Sequence, residues 1–270
     1  MENKQYKTNL RWSGGKSKMT KILDKYFPET VDKFLEVFTG GASVLLYIIQ
    51  KYHPQIVYAN DIDSKLINFY NAVKDSPITL MRECLEVKNR YTAETFREAF
   101  KDLDREKASH FFIANKTSFS GLNYNYSQFA YDRNFSHNSI RQIANVSEVI
   151  QNTIFLNEDF VNLENVIENI EDFFIYLDPP YYGNKQKGLY GKKGLLHKHF
   201  DHETLFEWVD RLSKKNRVML SYDDCEYVRE LYKNYNIYTF GFTYSMTNAG
   251  GNLCKEGQEI VITNYDVKGE

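Results

Sequence analysis

The stretch from residue 173 to residue 181, Phe-Phe-Ile-Tyr-Leu-Asp-Pro-Pro-Tyr, decides the fold class. Its first five residues form a short apolar run with aromatic and β-branched content, which is typical of a strand covered on both faces. The run stops at Asp178, and the two prolines that follow cannot continue a central strand. A buried strand that ends in a carboxylate indicates an α/β sheet, because ligands of such sheets bind beyond the carboxyl ends of the strands.

The tetrapeptide Asp178-Pro179-Pro180-Tyr181 predicts chemistry at this strand end. The two prolines fix two φ angles and have no N–H, so we expect the Pro179 carbonyl to be a rigid acceptor beside the Asp178 carboxylate. Two neighbouring acceptors can take both hydrogens of an exocyclic amino group. The Tyr181 ring offers a face on which a planar heterocycle can stack. We therefore predict a site that holds a heterocycle and presents its amino nitrogen.

Length and composition favour one large domain with a substantial insertion, since the chain has 270 residues, 42% of them hydrophobic. The polar start and the absence of any run near the roughly 20 apolar residues of a membrane span predict a cytoplasmic protein without a membrane partner. Cys84, Cys225 and Cys254 are odd in number and far apart. This pattern indicates neither a disulfide framework nor a metal site.

A glycine-rich basic loop follows the tetrapeptide. The formal net charge of the chain is only −2, yet residues 182–200 contain no Asp or Glu. A solvated surface loop is one interpretation of such a run. Its place directly after the tetrapeptide favours contact with phosphate groups instead. The lysines of this loop are Lys185, Lys187, Lys192, Lys193 and Lys198.

A strand, a glycine turn and a helix are predicted near the start of the chain, over residues 33–38, 39–43 and 44–52. Glycines let the backbone approach a ligand, and the helix N-terminus offers free N–H groups, so a nucleotide-like cofactor fits here. A second strand, residues 55–59, is followed closely by Asp61. This carboxylate lies about 20 residues after the turn, where it can accept hydrogen bonds from ribose hydroxyls. A purely structural β-α turn is the alternative.

Alternation of strands and helices resumes after an interruption. We predict a mixed sheet of about seven strands in a catalytic domain made of residues 1–73 and 146–270, with residues 74–145 as an inserted module. The predicted strands are residues 33–38, 55–59, 153–156, 173–177, 217–221, 237–242 and 259–264.

Residues 111–140 within the insertion are dense in aromatic and amide side chains and contain a single acid, Asp132. Such a mixture can stack on bases and hydrogen-bond to their edges, although a small satellite core is the alternative. The aromatic residues concerned are Phe119, Tyr124, Tyr126, Phe129, Tyr131 and Phe135. The candidates for DNA contact in the insertion are Lys116, Asn123, Tyr124, Asn125 and Arg133.

Four segments in this order resemble the Dam-like (D12) class of DNA adenine-N6 methyltransferases: residues 11–16, 38–43, 60–61 and 178–181. The resemblance covers nearly the whole chain. It implies a Rossmann-like, S-adenosylmethionine-dependent methyltransferase fold with a target-recognition insertion, acting on adenine in double-stranded DNA. The chain departs from the family at Val37, where proline is usual, and at Ala42, where a further glycine is usual.

The resemblance also implies roles for individual residues. Asn115 to Leu122 resembles the recognition hairpin of the family. The implied catalytic residues are Asp178, Pro179, Pro180 and Tyr181. The implied cofactor-binding residues are Trp12, Lys16, Phe38, Gly40, Asp61, Asp159, Phe160 and Asp178.

Other methylation chemistries have different sequence requirements. Cytosine-C5 methylation needs a cysteine nucleophile, usually next to proline, and no proline of this chain is followed by cysteine. Cytosine-N4 methylation typically has serine where Asp178 stands, so Asp178 favours adenine. Methylation of RNA or of a protein glutamine amide, and a catalytically silent DNA-binding module, stay open. We expect a monomer, with or without a separately acting restriction endonuclease as a partner.

Overall fold

A computed structural model describes residues 5–182, 200–244 and 255–267, apart from the side chains of residues 241–244 and 255–258. The strands are β1 Lys33–Glu36, β2 Ile56–Asn60, β3 Thr153–Leu156, β4 Phe174–Leu177, β5 Arg217–Asp223, β6 Asn236–Tyr244 and β7 Lys255–Thr263. They form one mixed sheet in the order β3-β2-β1-β4-β5-β7-β6. The predicted α/β fold class is therefore confirmed.

Helices of the described residues connect and cover these strands. They are α1 Thr20–Leu23, α2 Ser43–Tyr52, α3 Ser64–Asp75, α4 Pro77–Arg90, α5 Phe96–Ala99, α6 Ala108–Thr117, α7 Gln128–Asn134, α8 His137–Ile150, α9 Leu163–Val166, α10 His202–Ser213 and α11 Glu226–Leu231. Short 3-10 helices span Lys16–Lys18, Asp24–Tyr26, Phe119–Gly121 and Phe160–Asn162. Over the ranges given above, none of the helices combines the length and the apolar character needed to cross a membrane.

The chain divides into two compact units. The first comprises Met1–Lys21 with Thr30–Leu163, and the second comprises Ile22–Glu29 with Glu164–Glu270. In the first unit β1, β2 and β3 are parallel neighbours, so their carboxyl ends lie at one edge of the sheet. The predicted insertion, residues 74–145, lies wholly within this unit. Its boundaries stay a prediction.

Helices α4 to α8 make up most of the insertion, and they enclose an aromatic cluster. Tyr131 and Phe135 are buried, and their ring centroids are 5.4 Å apart. Phe96 is buried beside Tyr131, also with 5.4 Å between ring centroids. Helix α8 begins with a capping box between Ser136 and Ser139, which satisfies free N–H groups of its first turn. These rings form a satellite core and hold the insertion together.

In the second unit β4 is parallel to β5, whereas β7 is antiparallel to both β5 and β6. All four residues of β4 are buried, as expected for a strand covered on both faces. The Asp201 side chain accepts hydrogen bonds from the N–H groups of Glu203 and Thr204, and it thereby caps α10. The covered strand β4 ends at Leu177, so Asp178 follows directly at its carboxyl end.

Candidate active site

Asn60 ties together the carboxyl ends of three strands in the first unit. Its Nδ2 donates to the carbonyls of Val37, 3.1 Å away, and Glu158, 3.0 Å away. Its Oδ1 accepts from the Glu158 N–H at 3.0 Å. The side chain is buried, and an amide suits this place because it both donates and accepts. The sequence motif contains Asn60, but its bridging role needs contacts with distant residues and could not be predicted.

Asp61 lies next to the glycine turn, as predicted. Its Oδ2 accepts from the Gly40 N–H at 2.9 Å, and its Oδ1 accepts from the Asp63 N–H at 3.0 Å. Burial raises the pKa of the Asp61 carboxyl to about 6, although these backbone hydrogen bonds act in the opposite direction. Tyr70 donates its hydroxyl to the Gly40 carbonyl at 2.9 Å, so the turn is held from both sides. The carboxylate keeps further lone pairs with which it can accept ribose hydroxyls.

Trp12 packs directly on the glycine turn. Gly40 has φ +46°, and a Cβ atom there would lie 2.5 Å from Trp12 Nε1. A Cβ atom on Gly41 would lie 2.8 Å from Trp12 Cβ. The contact with Trp12 alone therefore requires both glycines. Lys16, four residues further on, is buried and donates from Nζ to the Gly14 carbonyl at 3.1 Å.

Phe38 and Phe160 form an aromatic pair beside the strand ends of the first unit. Their ring centroids are 6.0 Å apart with an interplanar angle of 57°. Asp159 precedes Phe160, is exposed, and accepts a hydrogen bond from the Val161 N–H at 3.3 Å. An adenosine moiety can stack on the aromatic faces of Phe38 and Phe160. Its hydroxyl and amino groups can donate to the carboxylates of Asp61 and Asp159. The residues of this unit therefore fit the nucleoside part of S-adenosylmethionine.

Ala42 occupies a backbone position that favours glycine. Its φ of 55° and ψ of 30° lie in the left-handed region, which costs a residue with Cβ on the order of 1 kcal/mol or more. We expect Ala42→Gly to raise the free energy of unfolding by about 1 kcal/mol, measured from urea unfolding curves. Ala144→Gly in the interior of α8 is the matched control, where the same change should lower it by about 1 kcal/mol. A loss of stability in both variants would contradict the strain assigned to Ala42.

Strand β5 holds the tetrapeptide of the second unit at both ends. The Ser221 hydroxyl donates to Asp178 Oδ1 at 3.1 Å, and the Asp223 carboxylate accepts from the Tyr182 N–H at 3.0 Å. The ring of Tyr181 stacks on that of Tyr222 with 6.1 Å between centroids. The structure thus fixes the carboxylate and the aromatic ring that the sequence singles out.

Tyr182, which the sequence analysis does not assign to the site, continues this aromatic surface. Its ring stacks on the ring of Tyr227 with a centroid distance of 4.1 Å and an angle of 15°. His202 lies edge-on to Tyr182 with a centroid distance of 5.3 Å. The sequence signals this role only through a tyrosine directly after the tetrapeptide. The ring partners of Tyr182, His202 and Tyr227, lie 20 and 45 residues further along the chain.

The residues of the insertion that are candidates for DNA contact differ in their exposure to solvent. Tyr124, Asn125 and Arg133 are exposed, and Asn123 is partly buried with φ +66°. Lys116 is only 7% exposed, and burial, together with Arg11, lowers its pKa to about 8. The basic-loop candidates lie outside the described residues, and these are Lys185, Lys187, Lys192, Lys193 and Lys198.

Asn115 joins the N-terminal segment to residues 115–122, which resemble the family's recognition hairpin in sequence and here form the end of α6 and the 3-10 helix Phe119–Gly121. Its Oδ1 accepts from the Arg11 N–H, and its Nδ2 donates to the carbonyls of Arg11 and Gly121, all at 2.9 to 3.0 Å. The Arg11 guanidinium donates to the Ser118 carbonyl at 2.9 Å. A Cβ atom on Gly121, whose φ is +75°, would lie 2.3 Å from the Arg11 carbonyl oxygen. Residues 115–122 are therefore fixed directly beside the segment that carries Trp12.

Comparison with known proteins agrees with this geometry. The model of the D12 class of N6 adenine-specific DNA methyltransferases matches residues 12–246. Type II methyltransferase M.MjaIII of Methanocaldococcus jannaschii is 26% identical over 97% of this chain and 100% of its own length. Type II methyltransferase M1.LlaDCHI of Lactococcus lactis is 28% identical over 96% of this chain and 97% of its own. A DNA adenine methylase of Haemophilus influenzae is 25% identical over 83% of this chain and 82% of its own.

The matched region contains the strand ends, the glycine turn, the insertion and the tetrapeptide described above, so the resemblance inferred from four short segments extends over most of the chain. The chain belongs to the D12 class of N6 adenine-specific DNA methyltransferases.

Proposed function

We propose that this methyltransferase takes its methyl group from S-adenosylmethionine and delivers it to an adenine flipped out of duplex DNA, with Asp178 and the Pro179 carbonyl as acceptors for the amino group. The observation that supports this most directly is the fixed carboxylate at the end of β4, where Ser221 holds Asp178 Oδ1. The type II designation of two relatives supports a modification role beside a separately acting endonuclease. As a DNA-modifying enzyme, the protein would act in the cytoplasm.

We infer that the first unit holds the cofactor. Asp61 would accept the ribose hydroxyls, Phe38 and Phe160 would pack on the adenine, and Asp159 would accept from its amino group. Trp12 would close the turn over the ligand, and Lys16 would supply a positive charge. When bound, S-adenosylmethionine supplies an electrophilic methyl group on a positively charged sulfur, so the reaction needs no metal ion for activation.

The second unit would prepare the nucleophile. The lone pair of the adenine amino nitrogen is delocalised into the ring, which makes this nitrogen a poor nucleophile. When Asp178 and the Pro179 carbonyl accept both N–H hydrogens, the nitrogen becomes pyramidal and its lone pair points in one direction. Tyr181 would stack on the base and fix its plane. After transfer, the amino group is acidic and releases its extra proton to the Asp178 carboxylate or to water.

Duplex DNA would bind through the exposed side of the insertion. A base inside the double helix cannot reach Asp178, so the target adenine must be flipped, at a cost of a few kcal/mol that contacts with the DNA backbone offset. Phe119, Tyr124 and Phe129 are 68%, 60% and 71% exposed, so they are available for stacking on bases. The Arg133 guanidinium lies over the Phe129 ring, 5.7 Å from its centroid, and adds a positive charge to this surface.

Exposure separates the aromatic residues that would bind DNA from those that form the satellite core. We expect Tyr124→Ala to weaken binding of duplex DNA about tenfold, because stacking contributes about 1 to 3 kcal/mol for each base, and to leave stability unchanged. Phe135→Ala should instead lower the free energy of unfolding by about 3 to 5 kcal/mol, since Phe135 is fully buried. For both variants, DNA titration measures the affinity for duplex DNA and urea unfolding measures the free energy of unfolding. Unchanged DNA affinity in Tyr124→Ala would contradict the assigned surface.

Transfer of label tests the proposed cofactor and substrate together. The protein would be incubated with S-adenosylmethionine tritiated on its methyl group and with either unmethylated genomic DNA, RNA or a protein mixture, and the DNA would then be digested to nucleosides. We expect label in N6-methyladenine of the DNA alone. Label in N4-methylcytosine, in RNA or in glutamine side chains would overturn the substrate assignment, and binding of the cofactor without any transfer would indicate a silent module.

A further inference from the structure

A chain of hydrogen bonds leads from the core of the second unit to the Asp178 carboxylate. Tyr176 Oη and Ser221 Oγ are 2.7 Å apart, and Ser221 Oγ donates to Asp178 Oδ1 at 3.1 Å. Tyr176 is 1% exposed and Ser221 is fully buried. Water therefore does not compete for these hydroxyl groups, and the chain is held in a low-dielectric environment where such bonds are strong.

The direction of the chain follows from the number of hydrogens. A serine hydroxyl has one hydrogen, and Ser221 gives it to Asp178. The hydrogen between Ser221 and Tyr176 must then come from the tyrosine. Donation by Tyr176 polarises the Ser221 hydroxyl and strengthens its bond to the carboxylate. Both hydroxyls thus act on one oxygen of Asp178, and they stabilise one orientation of the carboxylate plane.

The two prolines explain why such support is needed. Pro179 and Pro180 have no N–H, so the backbone of the tetrapeptide cannot be held by its own donors there. Ser221 and Asp223 are two residues apart on β5, so their side chains lie on the same face of the sheet. Ser221 holds Asp178, and Asp223 holds the Tyr182 N–H beyond the prolines. Strand β5 therefore secures both ends of the segment.

We propose that Ser221 is a positioning residue for methyl transfer, that Tyr176 supports it, and that both act through the orientation of the Asp178 carboxylate. The inference rests on the proposed role of Asp178 as an acceptor for the adenine amino group. A carboxylate that rotates freely would meet the amino hydrogens in the correct geometry only part of the time. The chain would therefore raise the rate of transfer without changing the affinity for cofactor or DNA.

Three variants test the proposal: Ser221→Ala, Tyr176→Phe and the double variant. We expect kcat with genomic DNA to fall about tenfold in Ser221→Ala and about threefold in Tyr176→Phe, with the dissociation constants for S-adenosylmethionine and DNA unchanged within about twofold. The double variant should be no slower than Ser221→Ala, because Tyr176 acts only through the serine. Ser213→Ala, a partly buried serine of α10 in the same unit, is the matched control with unchanged kcat.

Unchanged kcat in Ser221→Ala, a loss confined to binding, or multiplicative effects in the double variant would each overturn the proposal. If Ser221→Ala does not fold, Tyr176→Phe decides alone, and unchanged kcat in that variant contradicts the proposal. Asp178→Ala separates this inference from the proposed function. Full activity of Asp178→Ala would refute the role of the carboxylate itself, whereas an inactive Asp178→Ala beside a fully active Ser221→Ala would refute only the positioning role.

Discussion

Replacing Asp178 by alanine is expected to lower kcat about a thousandfold. The change removes the acceptor that directs the lone pair of the amino nitrogen and the group that can take up its proton, and losses of 10²- to 10⁴-fold are usual for such groups. Single-turnover transfer of labelled methyl groups to unmethylated DNA measures the effect. Asp178→Asn should retain slightly more activity, because its amide oxygen still accepts one hydrogen bond.

Asp210→Ala is the matched control for this result. Asp210 is an exposed residue of α10 in the same unit, and within the described part of the chain its carboxylate makes only long contacts, at 3.5 Å with the Tyr235 hydroxyl and at 4.0 Å with Lys214. Its removal should leave kcat unchanged. If Asp178→Ala and Asp210→Ala had similar kcat values, the tetrapeptide would not be the catalytic segment.

Replacing Asp61 by alanine is expected to raise the dissociation constant for S-adenosylmethionine by about a hundredfold. Hydrogen bonds to a charged group contribute about 1.5 to 3 kcal/mol each, and the variant loses those to the ribose together with the bond that fixes the Gly40 N–H. Isothermal titration calorimetry measures the constant. Asp63→Ala is the control: its side chain caps α3 through the Lys65 N–H, and the backbone N–H of residue 63 that donates to Asp61 is kept, so cofactor affinity should be unchanged. Equal effects of the two variants would refute the ribose assignment.

The raised pKa of Asp61 adds a pH dependence to the same binding. Burial raises this pKa to about 6, so the carboxyl group is ionised at neutral pH and becomes protonated as the pH falls through 6. A protonated Asp61 accepts hydrogen bonds less well, and cofactor affinity at pH 5 should be about tenfold weaker than at pH 7.5. The dependence should disappear in Asp61→Ala. Persistence of the same pH profile in that variant would assign the titration to another group.

The sheet could be predicted from the sequence because its strands are short apolar runs that end at polar or glycine residues. Strand β3 has the predicted bounds, and β4 begins one residue later than predicted. The ends of β1 and β5 differ more, since β1 stops at Glu36 and β5 continues to Asp223. Apolar patterning does not encode where pairing stops, because that depends on neighbouring strands and on contacts such as the one between Asp223 and the Tyr182 N–H.

For the insertion, the sequence shows which residue types are present, but it does not show which of its aromatic side chains are buried. Its aromatic residues divide into buried ones, such as Tyr131 and Phe135, and exposed ones, such as Phe119 and Phe129. Both classes share the same flanking serines and asparagines, so a single sequence cannot separate them. The structure supports both interpretations of these residues, the core for some and an accessible surface for others.

Contacts between distant segments could not be predicted at all. Three contacts join residues that are 28, 104 and 43 positions apart in the sequence: Trp12 with Gly40, Arg11 with Asn115, and Asp178 with Ser221. The motifs contain the residues to which we assign the chemistry. The residues that hold them in place are ordinary serines and asparagines, and they become recognisable only when the chain is folded.

The role of Asp178 and the Pro179 carbonyl as acceptors for the adenine amino group would be seen directly in a structure of the protein with sinefungin and a duplex oligonucleotide, whose sequence comes from mapping the methylated sites. We expect a flipped adenine stacked on Tyr181, with its amino nitrogen within about 3.2 Å of both an Asp178 carboxylate oxygen and the Pro179 carbonyl oxygen. An amino nitrogen beyond hydrogen-bond reach of both oxygens, or a base that stays stacked in the duplex, would contradict this role.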